Sequence, residues 1–392
     1  MSANRPLLIH VATTDMSLEL LLGPQLEAFV GAGYRVAGAS APGPYVEALA
    51  ARGVEHLPLR HATRSQAITR DVRALAELTA LFRRLRPTLV HTHNPKPGIY
   101  GRLAARAARV PVVVNTVHGL YAIPEDPLPR RTAVYALERT AAACSDLELV
   151  QNEEDLAVLR RLRVPPSRLE LLGNGIDLAR FDPRRHDPAS ATRARRELGA
   201  EADDVVIGAV GRLVAEKGYR ELFEALQALP PRARVAVIGF DEPGKKDGIS
   251  PQEVADAAAA GVRFLGGRSD VDWLYSGMDI FVLASHREGM PRAAMEAAAM
   301  GLPVVATDVR GCRQVVEHGV TGLLIPPRDP AALANAVATL VADPALRAQM
   351  GRAGRERALR RFDQQRCIDI TLAGYERLLR QRGMSVPNGV GT

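Results

Sequence analysis

The chain has 392 residues, 47% of them hydrophobic and 24% charged, with a formal net charge of +7. That length points to two domains of roughly 150–200 residues rather than one core, and the composition is that of a globular enzyme, not of a disordered or fibrous chain. No apolar run nears the roughly 20 residues that span a bilayer. "MSANRPLLIHVATTD" lacks the basic and apolar regions of a leader, so no export is expected. Cys144, Cys312 and Cys367, odd in number and far apart, argue against disulfides or a zinc site and fit a reducing cytoplasm.

Along the chain, short Val/Ile/Leu-rich runs alternate with helical patterns. "LLIHVAT" (7–13) reads as a strand, followed by the amphipathic stretch "LELLLGPQLEAFVGAG" with helix-stop glycines. "RVAGASA" is a second strand and "PYVEALAARG" a helix. In "RDVRALAELTALFRRLRP", Leu75, Leu78, Leu81, Phe82 and Leu85 fall on one helical side. "TLVHTH" and "PVVVNTVHG" are strands around the helix "GIYGRLAARAARV". Such alternation predicts an α/β fold with a parallel sheet covered by helices.

The stretch 175–190, rich in Asp, Pro and Asn, reads as a linker, after which the pattern restarts. "DVVIGAVGRL", "RVAVIGF", "VRFLGG", "DIFVLAS" and "LPVVATD" predict a second Rossmann-like domain of five strands. The expected division is 1–180, 181–362, a C-terminal helix over 363–384 returning to the N-terminal domain, and a flexible tail from 385 to 392.

Ligands of open parallel sheets lie beyond the carboxyl ends of the strands. Four loops follow strands directly: His118–Gly119, Gly211–Lys217, Gly266–Arg268 and Glu288–Pro291. Two facing sheets would bring them into one cleft. In "HREGMPRAAMEAAAMGLPVVATD", Pro291 suits the first helical position and Gly301 the C-terminal stop. The helix start offers N–H groups and partial positive charge to a phosphate. Glu288 lies just outside that end and Glu296 about 7–8 Å further along the axis. Two carboxylates at different depths suit an elongated polyhydroxy ligand with a diphosphate in its middle. Taken singly, each would more often be a helix-end charge or a solvated face. In "GRLVAEKG", Gly211 permits close backbone approach, while Arg212 and Lys217 are spaced to neutralise a diphosphate. Lysine is scarce: Lys96, Lys217, Lys245 and Lys246 stand against 47 arginines, which marks Lys217 as a compact point charge.

Together these motifs resemble the retaining glycosyltransferases of family 4 over nearly the whole chain. The E-x7-E element matches Glu288 and Glu296, the Arg-x4-Lys pair matches Arg212 and Lys217, and "NGID" matches 174–177. "GLLIPPRDPAALANAV" extends the match, and "HTHNPKPGIYGRLAARAARVPVVVNTVHGL" is similar to the subgroup that extends bacterial surface glycans. Where many members carry a glycine-rich loop after the first strand, this chain has "TTDMSLELL".

The resemblance implies a GT-B fold, two Rossmann-like domains facing a central cleft. It implies transfer of a hexose-type sugar from a nucleoside-diphosphate donor, such as a UDP-sugar, to a glycan or polyprenyl-diphosphate-linked acceptor in cell-surface polysaccharide synthesis. Glu296 would hold the ribose and Glu288 the donor sugar, with Gly289, Met290 and Pro291 beside it. Arg212 and Lys217 would hold the diphosphate, Gly211, Gly266 and Arg268 would line the donor site, and His118 would face the sugar. Neither Asp-x-Asp nor a His/Asp cluster occurs in these loops, so no metal and no cofactor beyond the donor co-substrate is expected. With no obvious nucleophile, front-face attack is implied.

Residues 51–110 hold twelve Lys/Arg against three Asp/Glu. That surplus either draws the protein to an anionic membrane face or is a solvated helix surface; no nucleic-acid partner is expected. A dinucleotide oxidoreductase is disfavoured because no G-x-G-x-x-G follows the first strand. A GT-B epimerase or phosphorylase, a transferase acting on a small soluble acceptor, and a non-catalytic sugar-nucleotide-binding protein are the remaining alternatives.

Overall fold

The computed structural model describes residues 5–63, 68–93, 95–123, 126–241 and 247–387. Lys245, Lys246 and residues 388–392 of the expected tail lie outside the described residues. The chain divides into two compact units, one of residues 1–172 with 366–392 and one of residues 173–365.

The first unit carries a seven-stranded sheet: β1 (Leu7–Thr14), β2 (Arg35–Ala41), β3 (Glu55–Pro58), β4 (Leu89–His93), β5 (Val112–Val117), β6 (Leu147–Val150) and β7 (Leu169–Leu171). Their order is β3-β2-β1-β4-β5-β6-β7, with every neighbour parallel. Because side chains alternate along a strand, each sheet face gathers its own core. Leu7, Ile9 and Val11 pack under Leu78, Phe82 and Ala104, while Leu8 and Ala12 face Tyr375 and Leu379 of the C-terminal helix Gln364–Gln381. The family-divergent "TTDMSLELL" ends β1 and enters a π-turn over Ser17–Leu21 before the helix Leu22–Gly31.

Arg102 is buried between two carboxylates, Glu138 at 2.6 Å and Glu148 at 2.7 Å. One member of the basic surplus is thus internal. Arg70, Arg73, Arg83, Arg84 and Arg86, on or just after the helix Ile68–Leu85, are all exposed.

The second unit carries six parallel strands: β8 (Val205–Val210), β9 (Ala233–Ile238), β10 (Arg263–Phe264), β11 (Ile280–Leu283), β12 (Val304–Thr307) and β13 (Gly322–Ile325). Their order is β10-β9-β8-β11-β12-β13. β13 adds a strand to the five expected. The NGID segment already belongs to this unit: the Asn174 amide donates to the Met290 carbonyl at 3.0 Å, and the Ile176 N–H to that of Phe362 at 2.9 Å. The contact boundary therefore falls ahead of residue 180. In both sheets the strand order reverses next to the first strand, at β1/β4 and at β8/β11. Such a reversal leaves a crevice at the carboxyl ends where neighbouring loops turn opposite ways.

Candidate functional site

In the second unit the loops after β8 and β11 meet at that reversal. After Gly211 the chain is pinned by backbone bonds from Leu213 to Phe240 and from Ala215 to Asp247. A single 3-10 turn, Ala215–Lys217, ends at Gly218 with φ of 73°. Gly218 is required twice over: its φ is left-handed, and a Cβ there would lie 2.0 Å from the Ala284 carbonyl oxygen. That close approach seats the β8 loop on the end of β11. The Lys217 Nζ reaches the Glu288 Oε1 at 2.6 Å, with the two side chains 23% and 10% exposed.

Glu288 is held from a second side. The Ser285 hydroxyl donates to the same Oε1 at 2.7 Å, and the Thr307 hydroxyl donates in turn to the Ser285 carbonyl. Behind the carboxylate lies the helix Arg310–Val315, where a Cβ on Gly311 would come within 2.6 Å of the Glu288 backbone. Burial, with Glu288 as the second cause, keeps the Cys312 thiol and the Tyr219 phenol well above their ordinary ranges, so both stay neutral. Arg212 is half-buried on the same loop as Lys217.

Glu296, on the helix Arg292–Ala299, is not a solvated face residue. Its side chain is 13% exposed, accepts from the Tyr275 hydroxyl at 3.3 Å and sits 3.9 Å from the Arg292 guanidinium. Burial raises its carboxyl above 4.5, against the pull of Arg292 and Tyr275. Pro291 caps the helix rather than starting it, since Arg292 is the first helical residue.

Gly266 has φ of 67° and its carbonyl accepts from the Gly239 N–H at 2.9 Å. Arg268 is committed within the unit: its guanidinium binds Asp270 at 2.8 Å and Glu197 at 2.9 Å. Arg180 bridges Asp272 and the Ser269 carbonyl beside it. Arg268 thus serves the 266–272 loop through its side chain. Ser285, Thr307, Tyr275 and Gly311 were not singled out from the sequence. Each lies far along the chain from the glutamate it supports, or is too ordinary in type to stand out.

In the first unit, His118 follows β5 directly. Its Nε2 pairs with the His93 Nδ1 at 3.1 Å, and the His93 Nε2 pairs with the His10 Nδ1 at 2.8 Å. His91 pairs with the Tyr375 hydroxyl and, at 2.7 Å, with that of Thr116. His10 and His91 are register partners across the β1/β4 reversal. Burial lowers His118 to about 4 and His10 to about 3, and holds His91 and His93 well below their ordinary value. All four are neutral at physiological pH. Nitrogens of His10, His91 and His93 lie within 4.8 Å of one another. Yet both nitrogens of His91 are hydrogen-bonded and its ring stacks on His93 with centroids 4.2 Å apart. The set is a hydrogen-bonded stack, not a converging ligand shell.

Residues 190–357 match the model of the family described as Glycosyl transferases group 1, and residues 25–180 match Glycosyltransferase Family 4. Over 290 residues the chain is 31% identical to the UDP-Gal:alpha-D-GlcNAc-diphosphoundecaprenol alpha-1,3-galactosyltransferase of Escherichia coli, covering 72% of this chain and 74% of that one. The chain belongs to the group 1 glycosyl transferases. Among other members, a D-inositol 3-phosphate glycosyltransferase of Xylanimonas cellulosilytica is 33% identical over 308 residues, 75% of this chain and 73% of that one. The crystal structure of Anabaena HepE in complex with UDP and glucose superposes with a TM-score of 0.79, covering 95% of this chain and 100% of that one at 20% identity. That likeness bears on fold alone, and the fold is GT-B, two Rossmann-like domains in one chain. A glycosyltransferase of this family is a transferase, which removes the oxidoreductase reading.

Proposed function

We propose that this transferase moves a hexose-type sugar from a UDP-sugar to a glycan or lipid-linked acceptor with retention of anomeric configuration, by front-face attack. The observation that carries the reading is the meeting of Lys217 and Glu288 at the β8/β11 reversal. A cation and a hydroxyl-binding carboxylate side by side are what a sugar diphosphate presents partners for. Lys217 and Arg212 would take the charge that develops on the diphosphate as the glycosidic bond breaks. Glu288 would accept from sugar hydroxyls, and Glu296, partnered by Tyr275, from the ribose. The donor phosphate would take the acceptor proton, and no metal or cofactor enters this scheme.

Support for a UDP-sugar comes from the E. coli relative, whose donor is UDP-Gal. Support for a lipid-linked acceptor comes from the diphosphoundecaprenol of the same relative. It also comes from the helix Ile68–Leu85, which exposes Ile68 and Val72 beside Arg70 and Arg73, an apolar and basic mixture suited to an anionic membrane face. No helix among the described residues is long and apolar enough to cross a membrane, so such association would be peripheral. The inositol-phosphate relative favours the second reading, a small soluble acceptor. A screen of UDP-Gal, UDP-Glc and UDP-GlcNAc against the purified chain, following UDP release with lipid diphosphate or soluble acceptors, tests both. Stimulated release with one acceptor class selects it; no release with any donor contradicts the transferase scheme.

A further inference from the structure

The Lys217–Glu288 bridge is only one of the links between the loops that meet at the β8/β11 reversal. His286, two residues before Glu288, makes two more. Its backbone N–H donates to the Glu216 carbonyl at 2.8 Å, and its Nε2 meets the Glu221 Oε1 at 2.6 Å. An ionised carboxylate only accepts, so Nε2 carries the proton of that bond. Glu216 and Glu221 stand on either side of Lys217, one and four positions away. His286 therefore holds the chain both before and after the lysine.

One reading of Glu221 is a first-turn carboxylate on the helix Tyr219–Ala225, placed there for the partial positive charge of the helix start. Its surroundings argue for more. The side chains of His286 and Glu221 are only 19% and 15% exposed. The Glu221 Oε2 is buried with no hydrogen-bond partner among the described residues, and the adjacent Arg220 pairs with Glu253 at 2.6 Å instead. The carboxylate thus depends on the imidazole for its hydrogen bond. Such a pair adds little net stability, since desolvation offsets much of the attraction; what it fixes is a geometry.

We infer that His286 and Glu221 are positioning residues for Lys217: their bond keeps the turn Ala215–Lys217 seated on the loop before Glu288 while the Lys217–Glu288 bridge opens to a diphosphate. The two links differ in what a ligand does to them. A diphosphate reaching Lys217 competes with Glu288 for the ammonium, whereas the His286–Glu221 bond uses neither bridging atom and stays closed. The inference rests on the proposed role of Lys217 at the diphosphate.

The test is calorimetry of UDP with the full chain, paired with thermal unfolding. Glu221→Ala removes the bond without stranding a carboxylate, and alanine suits a helix. It should weaken UDP about tenfold, the loss of one hydrogen bond to a charged group. Glu221→Gln drops the same first-turn charge but keeps an oxygen for the Nε2–H, and should hold UDP within about twofold of the wild type. A merely structural role would follow the unfolding temperature, whereas a role through Lys217 vanishes without Lys217. Glu221→Ala combined with Lys217→Ala should therefore bind UDP within about twofold of Lys217→Ala alone. Wild-type affinity in Glu221→Ala, equal losses in the alanine and glutamine variants, or additive losses in the double variant would each overturn the inference. In the wild type, nitrogen-15 NMR should show a hydrogen-bonded Nε2–H on His286 with and without UDP; its loss on adding UDP overturns the inference whether or not a variant folds. A Lys217→Ala chain that binds UDP as the wild type does contradicts the proposed function itself, and the inference falls with it.

Discussion

Replacing Glu288 with Gln should separate the two glutamates by opposite signs. In the structure Lys217 is already paired, 2.6 Å from a carboxylate that is 10% exposed. A diphosphate arriving at Lys217 must compete with that carboxylate. Two unit charges about 4 Å apart interact by about 4 kcal/mol at an effective dielectric of about 20. Lys217 regains water when the pair opens, and the diphosphate replaces only part of the contact, so a net competition of about 1–2 kcal/mol is reasonable. Removing the charge while keeping the shape should tighten binding of UDP by roughly tenfold, at 1.4 kcal/mol per decade. Sugar transfer should fall nonetheless, because the hydroxyl-accepting carboxylate is gone. Glu296→Gln should do the reverse and weaken UDP, since Glu296 is partnered by Tyr275 and Lys217 is paired with Glu288 instead. Calorimetry with UDP alone measures both. Equal weakening by the two variants would refute the competition and the assignment of the carboxylates.

Lys217→Ala should lower turnover about tenfold to a hundredfold with an unchanged melting temperature, measured by UDP release and calorimetric unfolding. Burial raises the Glu296 carboxyl above 4.5, so its ribose-binding charge is present above that raised value and lost as pH falls through it. UDP affinity in the wild type should decline at a higher pH than an ordinary carboxylate allows, and Glu296→Gln should remove that step; the same raised value makes the ionised group a folding penalty that grows as pH rises through the same window. Gly311→Ala would press a Cβ to 2.6 Å from the Glu288 backbone and should cut transfer while far-UV circular dichroism stays native. Vesicles with anionic lipid should co-sediment the protein at low salt and release it at high salt, and neutral vesicles should not bind; no binding to either would favour the soluble acceptor.

Much of the fold was legible because its strands are the plain kind, Val/Ile/Leu runs such as "DVVIGAV" between helices with clear stops. β3 (Glu55–Pro58), β6 (Leu147–Val150) and β7 (Leu169–Leu171) were not: each is only three or four residues long and holds a charge or a proline, with no period to read. β13 lay inside "GLLIPPRDP", read as motif before it was read as strand. In the site, Glu288, Glu296, Arg212 and Lys217 stood out through their spacing. The bond between Lys217 and Glu288 spans 71 positions and depends on β8 lying next to β11, an adjacency no local pattern encodes. Ser285, only three residues from Glu288, was too ordinary a type to stand out, and Tyr275 sits 21 positions from the Glu296 it donates to. His91 and His93, two apart in a strand, point to one face, and that signal could have paired them. Only the parallel register beside β1 adds His10. The commitment of Arg268 to Glu197 and Asp270 likewise needed three separate segments in place.

Anomeric configuration is the sharpest discriminator, because in the proposed front-face transfer the acceptor attacks from the side on which the diphosphate leaves and the α configuration is kept, whereas attack from the opposite face would invert it. The measurement is proton NMR of the glycoside formed from an α-configured UDP-sugar by the wild-type enzyme, taken early, with Lys217→Ala as the control. An α-linked product, lost in the control together with UDP release, is the expected result. A β-linked product, or an α-linked product formed at the wild-type rate without Lys217, would contradict it.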